Sequence, residues 1–156
     1  MKKRLLTVSI VFALVLATLL AIPASADVSD AENFTDQCPT ATLSGMGRSY
    51  LADYGDESYA LTTFSHTPNT HTTSTTVYVG AKFWHYPVGS TPSAYRTTTR
   101  STTSSGVSSG TARVTSSGIS GIIFCVESAH TLSMTCNGRT YPQQTKWTCA
   151  GEPAMK

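Results

Sequence analysis

The chain has 156 residues, of which 13% are charged and 40% hydrophobic, and it carries four cysteines. Beyond Ala26, Leu, Ile, Val and Phe are scarce, and Ser, Thr and Tyr are abundant in their place. This composition, with no second long apolar run, excludes a polytopic membrane protein, a long coiled coil and a large multidomain enzyme. We expect a single domain.

The segment that ends at Ala26 has the pattern of a cleaved export signal. Residues 2–4 are basic, Leu5 to Ile22 form an apolar stretch, and Pro23-Ala24-Ser25-Ala26 supplies the small residues of a cleavage site. We expect cleavage after Ala26 and secretion of a bacterial-type product that has no membrane span. An uncleaved membrane anchor is the alternative that the apolar stretch leaves open.

Loss of the leader changes the formal charge. The mature part has eight Lys and Arg residues against nine Asp and Glu residues, which gives −1. Seven of the nine acidic residues lie at or before Glu57, and seven of the eight basic residues follow it. Either the acidic segment lies across a basic sheet, or the basic part attracts an anionic partner. The mature charge does not indicate a nucleic-acid binder.

The four cysteines are expected to form disulfides, because an exported chain meets an oxidising compartment. They are Cys38, Cys125, Cys136 and Cys149. None of them forms a C-x-x-C motif, and three pairings stay open. A bond from Cys38 to any other would close a loop of roughly a hundred residues and stabilise a domain with a small apolar core.

The remaining pattern predicts an all-β fold, a small antiparallel sandwich stabilised by disulfides. Residues 27–40 are acidic and predict a loosely ordered lead-in to a single Ser/Thr-rich β domain over residues 41–156. Between Ala41 and Leu61 the pattern leaves helix and strand equally open. The clearest strand runs from Thr72 to Tyr86, where one face is aliphatic and the other aromatic. The aliphatic face comprises Val77, Val79, Ala81 and Phe83.

More than half of the positions from 90 to 120 are occupied by Ser or Thr. Ala94 to Thr103 predicts an exposed, polar strand, and the Ser-Ser-Gly triplets after it predict turns between strands. A disordered stalk is the competing interpretation. Ile119 to Val126 is a short apolar run, which predicts a central buried strand.

The end of the chain predicts a hairpin. Thr131 to Cys136 alternates as a strand, and Asn137-Gly138 is the residue pair that two-residue hairpin turns prefer. Such a turn places Met134 opposite Tyr141. Lys146 to Cys149 predicts a last short strand.

No motif predicts catalysis in a supporting context. Gly106 to Gly110 matches the letters of a nucleophile elbow, but no helical pattern follows it. His66 and His71 lie five positions apart in a polar loop, and we expect them to be exposed rather than bound to metal. Any of the four histidines, including His85 and His130, could in principle supply a base, so a small secreted hydrolase whose site assembles only in space stays open. We predict no cofactor and no metal site.

The aromatic side of the clearest strand is the candidate binding surface, formed by Tyr78, Lys82, Trp84 and Tyr86. Flat rings with a polar rim suit a sugar, a peptide, a cell-wall or surface polymer, or a protein partner. Alternatively, these rings cover the second side of the sheet. We therefore expect a secreted, non-enzymatic binding or surface-interaction module at the cell envelope or in the extracellular space. The sequence does not indicate its oligomeric state.

One segment is similar to a known family. Tyr54-Gly55, Ser58-Tyr59, the pair His66 and His71, and Thr75 to Val79 together resemble the first half of the lactococcin-type secreted bacteriocins. The likeness extends only from Tyr54 to Val79, and the four cysteines and the Ser/Thr-rich segment depart from the family's pattern. It implies a small β protein that acts on the envelope of neighbouring cells, and it assigns no residue roles.

Overall fold

The computed structural model describes residues 27–53, 56–68, 73–89 and 94–152, which form nine β-strands in two antiparallel sheets. The leader expected at residues 1–26 lies outside this part of the chain. Among the described residues, no helix is long and apolar enough to cross a membrane. In chain order the strands are β1 Val28–Cys38, β2 Ala41–Leu51, β3 Tyr59–Thr67, β4 Thr73–Tyr86, β5 Arg96–Gly106, β6 Ser109–Thr115, β7 Ile122–Cys136, β8 Arg139–Thr140 and β9 Gln144–Gly151.

The first sheet has the strand order β1-β2-β3-β6. In the second sheet β5, β4 and β7 are neighbours, and both β8 and β9 pair with β7. Strand β2 shows that the segment after Ala41, where helix and strand were equally compatible, is extended. The sequence predictions of a strand up to Tyr86 and of a polar strand after Ala94 agree with β4 and β5.

Both sheets contribute side chains to one hydrophobic cluster. The alternation of β4 turns its aliphatic face inward, and Phe83 is 0% exposed there. Phe34 and Leu43 reach the same cluster from the first sheet. A disulfide between Cys38 and Cys136 joins the end of β1 to the end of β7 and thereby links the two sheets. The predictions of an all-β fold and of a disulfide are confirmed.

The acidic segment differs from the loosely ordered lead-in that the sequence predicts. Strand β1 pairs with β2 along its whole length, from Val28 opposite Leu51 to Cys38 opposite Ala41. Phe34 anchors it in the core, whereas the acidic side chains stay outside the core. An edge strand needs only backbone partners and a few buried anchors, so charges along it do not prevent pairing.

Strand β7 is continuous, whereas the sequence predicts two separate strands there. The intervening residues Glu127 to His130 belong to the same ladder and pair with both β4 and β9. Ser128 and His130 point inward and are almost fully buried, although both are polar. The strand is therefore continuous, although its apolar alternation is interrupted in the middle.

The hairpin that follows β7 confirms its sequence prediction. Asn137 and Gly138 both adopt positive φ, at 51° and 77°, as a two-residue hairpin turn requires. The N–H of Tyr141 donates to the carbonyl of Met134 at 2.8 Å, which sets these residues opposite each other.

Candidate functional site

Hydroxyl groups cover the outer face of the second sheet, the face that points away from the shared core. On the edge strand β5 every second residue points outward, and all five of these are exposed Ser or Thr. Thr76 of β4 continues this surface and its hydroxyl lies 2.8 Å from that of Ser105. Thr131 and Thr145 extend it across β7 and β9, with their hydroxyl oxygens 3.5 Å apart.

Two aromatic rings stand on this face. Trp147 on β9 is 71% exposed and Tyr78 on β4 is 38% exposed. Between them lie two very small residues, because Gly80 pairs with Ala129 and Ala129 pairs with Trp147. Since neighbouring strands are about 4.8 Å apart, the two strands that carry the rings are about 10 Å apart. We name Tyr78, Gly80, Ala129 and Trp147 the aromatic platform.

Gly80 allows the ring of Tyr78 to lie flat along β4. A Cβ at position 80 would collide with the hydroxyl and the ring of Tyr78. The side chain of Tyr78 thus extends over Gly80, which lies in the same row across the sheet as Trp147. The small side chain of Ala129 thus lies on the strand between Tyr78 and Trp147.

The charged groups beside the platform are paired. The Nζ of Lys82 lies 3.6 Å from the Oε2 of Glu127, and the same oxygen accepts a hydrogen bond from the indole of Trp84 at 2.8 Å. Lys146 of β9 points to the opposite face of the sheet from Trp147, and its Nζ lies 3.5 Å from the Oε2 of Glu32. The platform therefore presents rings and hydroxyls beside neutralised charges.

The structure exposes two of the four residues predicted as a contact face and covers the other two at least partly. Tyr78 and Lys82 are exposed on the outer face, but Trp84 is only 7% exposed. The ring of Tyr86 stacks on Phe124 at 4.5 Å, and Phe124 also contacts Trp84. The register shifts between Trp84 and His85, and Phe124 is the residue of β7 that this shift leaves without a partner on β4. Trp84 and Tyr86 therefore belong to an aromatic cluster with Phe124, and Lys82 borders this cluster, with its Nζ 5.4 Å from the centroid of the Trp84 ring.

Sequence reasoning missed Trp147, although the predicted last strand contained it. Thr145, Trp147 and Cys149 point outward, while Thr148 and Ala150 between and after them are buried. The alternation of outward and inward positions over Gln144–Gly151 is the signal that could have identified Trp147 as exposed. It was weak because the buried positions are occupied by small side chains rather than by large apolar ones.

A chain of buried hydrogen bonds crosses between the sheets at His130. Its Nδ1 lies 2.9 Å from the hydroxyl of Thr62 in β3, and its Nε2 lies 2.7 Å from the hydroxyl of Thr148 in β9. The Thr148 hydroxyl lies 2.6 Å from that of Ser49 in β2, and Ser49 donates to Ser128 at 2.8 Å. All five side chains are at most 4% exposed. This cluster of Ser, Thr and His groups bridges the sheets out of reach of a substrate.

The buried position of His130 predicts acid sensitivity. Burial lowers the pKa of His130 to about 4, and the nearby carboxylate of Asp30 opposes this shift only partly. In the unfolded chain the pKa is about 6.5, so the unfolded chain binds more protons than the folded chain between these values. We expect the free energy of unfolding to fall by about 3 kcal/mol as the pH drops from about 6.5 to about 4. Urea unfolding at several pH values measures this loss.

The substitution His130→Gln isolates that contribution from the titration of carboxylates. The variant is expected to be less stable at neutral pH but to lose the part of the acid dependence that His130 supplies. Imidazole NMR signals give a second readout in the unmodified protein. A His130 signal that titrates near the ordinary imidazole pKa would contradict the predicted pKa shift.

Two other histidines are structural as well. His66 differs from the exposed residue that the sequence predicts, because it is 5% exposed and its ring contacts the carbonyl of Val107 and the hydroxyl of Thr75. The ring of His85 contacts the carbonyl of Ser120 at 3.1 Å and the hydroxyl of Thr98 at 3.2 Å. His71 lies outside the described residues.

The cysteines occur as one disulfide and one close pair of thiols. Cys38 and Cys136 are bonded, whereas Cys125 and Cys149 are free and their sulfur atoms lie 3.6 Å apart. A second disulfide between the free pair stays a prediction. Within the described ranges, no group of three or more His, Cys, Asp or Glu side chains is arranged to hold a metal ion.

A cleft of about 990 Å³ opens where β2 ends and β7 begins. Its apolar lining includes Leu51, Ile119 and Ile123, and its acidic lining includes Asp53, Asp56 and Glu57. Ile122 borders the same cleft and is 54% exposed. The carboxylates give this cleft an anionic lining, which distinguishes it from the neutral surface of the aromatic platform.

No protein-family model matches the chain, and no curated protein matches its sequence. A function for this chain can therefore be inferred only from its own residues, here those of the aromatic platform.

Proposed function

We propose that this chain is a secreted, non-enzymatic β-sandwich that binds a polysaccharide of the cell envelope or extracellular space through the aromatic platform. The observation that carries the proposal is the exposure of Trp147, which is 71% exposed in the middle of a paired strand. A large apolar ring in that position adds nothing to the core. Exposed aromatic side chains on a regular scaffold are typical of binding surfaces.

Secretion and the sandwich arrangement are parts of the same proposal. The basic, apolar and small-residue pattern that ends at Ala26 supports export from a bacterial cell. The Cys38–Cys136 disulfide is compatible with an oxidising compartment. The single hydrophobic cluster to which both sheets contribute supports a face-to-face packing of the sheets.

The chemistry of the platform favours an uncharged stretch of polysaccharide. Sugar rings have apolar C–H faces that pack on aromatic rings, and their hydroxyls exchange hydrogen bonds with side chains such as Ser101, Thr103 and Thr131. These three residues lie on β5 and β7 beside the platform. An anionic polymer would need free cations, but Lys82 is paired with Glu127.

Trp147→Ala is expected to weaken binding to insoluble glycan about tenfold or more, because truncating a central aromatic contact costs about 2 kcal/mol. Sedimentation of the purified, oxidised protein with chitin, cellulose or peptidoglycan sacculi measures binding, with heparin-agarose as the anionic comparison. The free energy of unfolding should change by less than about 0.5 kcal/mol, since the indole is exposed. Val107→Ala, which shortens an exposed apolar side chain away from the platform, is the matched control and should bind normally.

Failure of the unmodified protein to sediment with any of these glycans would contradict the proposed ligand class. Equal binding by Trp147→Ala and the unmodified protein would contradict the assignment of the platform. Growth inhibition of neighbouring bacteria without glycan binding would favour the bacteriocin-like alternative. Turnover of an envelope substrate would favour a hydrolase.

A further inference from the structure

The two free thiols lie on adjacent strands of the second sheet. Cys149 of β9 pairs with Glu127, and Cys125 of β7 pairs with Gly151, so the two cysteines are diagonal neighbours on the outer face. Their sulfur atoms are 3.6 Å apart. This separation lets one sulfur attack the other once either is activated, without rearrangement of the strands.

Solvent reaches the two thiols very differently. Cys149 is exposed, with its sulfur 3.5 Å from the carbonyl oxygen of Gly151. Cys125 is 0% exposed and pairs with the buried Trp84 on β4. Burial raises the pKa of the Cys125 thiol, and the hydrogen bond and charge interaction with Cys149 raise it further. A reagent in solution therefore meets Cys149 first, and Cys125 stays protonated at neutral pH.

We propose that Cys149 is a thiol–disulfide exchange site for small-molecule disulfides, and that Cys125 resolves the adduct to close a second disulfide. The proposal does not depend on the polysaccharide-binding function. It assigns one pairing, Cys125 with Cys149, and an order of reaction to the two cysteines that are free.

The two steps balance in atoms and electrons. The Cys149 thiol loses its proton to solvent, and its thiolate attacks one sulfur of the small disulfide. That S–S bond breaks, and one small thiolate leaves and takes up a proton. The Cys125 thiol then loses its proton, and its thiolate attacks the Sγ of Cys149 and expels the second small thiolate. Two protein thiols are oxidised to one disulfide, and one small disulfide is reduced to two thiols.

The asymmetry of the pair determines which step is slow. Attack by the exposed Cys149 needs no change in burial, whereas Cys125 must lose its proton in an apolar site before it reacts. The mixed disulfide on Cys149 is therefore expected to accumulate before the ring closes, and closure should accelerate as the pH rises. Closure also ties strand β9, which carries Trp147, covalently to β7.

Oxidised glutathione is the probe for this reaction. The starting material is protein in which brief treatment with a mild reductant leaves Cys125 and Cys149 free and the Cys38–Cys136 bond intact. Intact mass with peptide mapping should show one glutathionyl group on Cys149, followed by its loss and a net loss of two hydrogens. If the reductant opened Cys38–Cys136 before it freed Cys125 and Cys149, Cys149 would not be the most accessible cysteine, and the proposal would be wrong.

Two single variants separate the roles of the thiols. Cys125→Ser should hold the glutathionyl group on Cys149 without release. Cys149→Ser should react at least about tenfold more slowly, because the remaining thiol is buried and protonated. The Cys38–Cys136 bond and a circular dichroism spectrum verify that this variant is folded. Modification of Cys125 in Cys149→Ser at the rate of the unmodified protein would overturn the proposal, as would a stable adduct that never closes in the unmodified protein.

Discussion

Replacing both members of the Cys38–Cys136 disulfide by serine is expected to lower the free energy of unfolding by about 4 to 5 kcal/mol. The bond connects residues 98 positions apart and joins β1 of the first sheet to β7 of the second. Without this bond, the unfolded chain regains conformational entropy over nearly the whole domain. Urea unfolding of the oxidised protein and of the double variant measures the difference.

Cys149→Ser is the matched control for that experiment when mild reduction keeps Cys125 and Cys149 free in every sample, because it then replaces an exposed cysteine that closes no loop. It should change stability by less than about 0.5 kcal/mol, as exposed substitutions usually do. A double variant of Cys38 and Cys136 that unfolds at the same urea concentration as the control would show that the long loop does not limit the stability of this domain.

Gly47→Ala is expected to destabilise the protein by about 3 to 4 kcal/mol, a large effect for a single added methyl group. A Cβ at position 47 would lie 2.7 Å from both the Cβ and the Cδ2 of His130. The imidazole would have to move, and its hydrogen bonds to Thr62 and Thr148 would break in a buried site. Thermal or urea unfolding measures the loss.

A double-mutant cycle distinguishes this collision from a general cost of alanine in β2. In the His130→Gly background both the Cβ and the ring that a Cβ at position 47 would meet are absent, so Gly47→Ala should cost far less than in the unmodified protein. Ser44→Ala, at an exposed position of the same strand, should be nearly neutral. An equal cost of Gly47→Ala in both backgrounds would contradict the predicted contact.

Local patterns in the sequence were sufficient to predict those elements in which alternation or turn chemistry is strong. Strand β4 alternates aliphatic residues with polar and aromatic ones over most of its length, and Asn137-Gly138 specifies its hairpin without help from the rest of the chain. The ends of β7 were recognised for the same reason. These are short-range signals, and the structure retains them.

The parts that could not be predicted depend on contacts between distant segments. Ser128 and His130 are hydrophilic residues in core positions because Ser49 and Thr62 of the other sheet supply their hydrogen-bond partners. An amphipathic pattern cannot reveal a buried polar residue whose partners lie far away in the chain. The edge strand β1 is similar, since its ladder with β2 forms through the backbone.

The candidate site was predicted only in part for a related reason. The sequence predicted a binding surface on the aromatic side of β4, and Tyr78 is exposed on the outer face of that strand. Whether an aromatic residue is exposed depends on which rings cover it: the ring of Tyr95 lies 5.3 Å from that of Trp84, whereas Trp147 stays open to solvent. The second ring of the platform comes from β9, which reaches this face only by pairing with β7.

The two tryptophans provide the most direct test of binding at the aromatic platform. Trp84 and Trp147 each give one indole N–H signal in a ¹H–¹⁵N NMR spectrum. The probe is a soluble chitooligosaccharide, or a soluble fragment of whichever insoluble glycan sediments with the protein. We expect the signal of Trp147 to shift on titration, while that of Trp84, which is hydrogen-bonded to Glu127 and covered by other rings, stays in place. Binding that leaves the Trp147 signal unchanged would show that the glycan does not contact the aromatic platform.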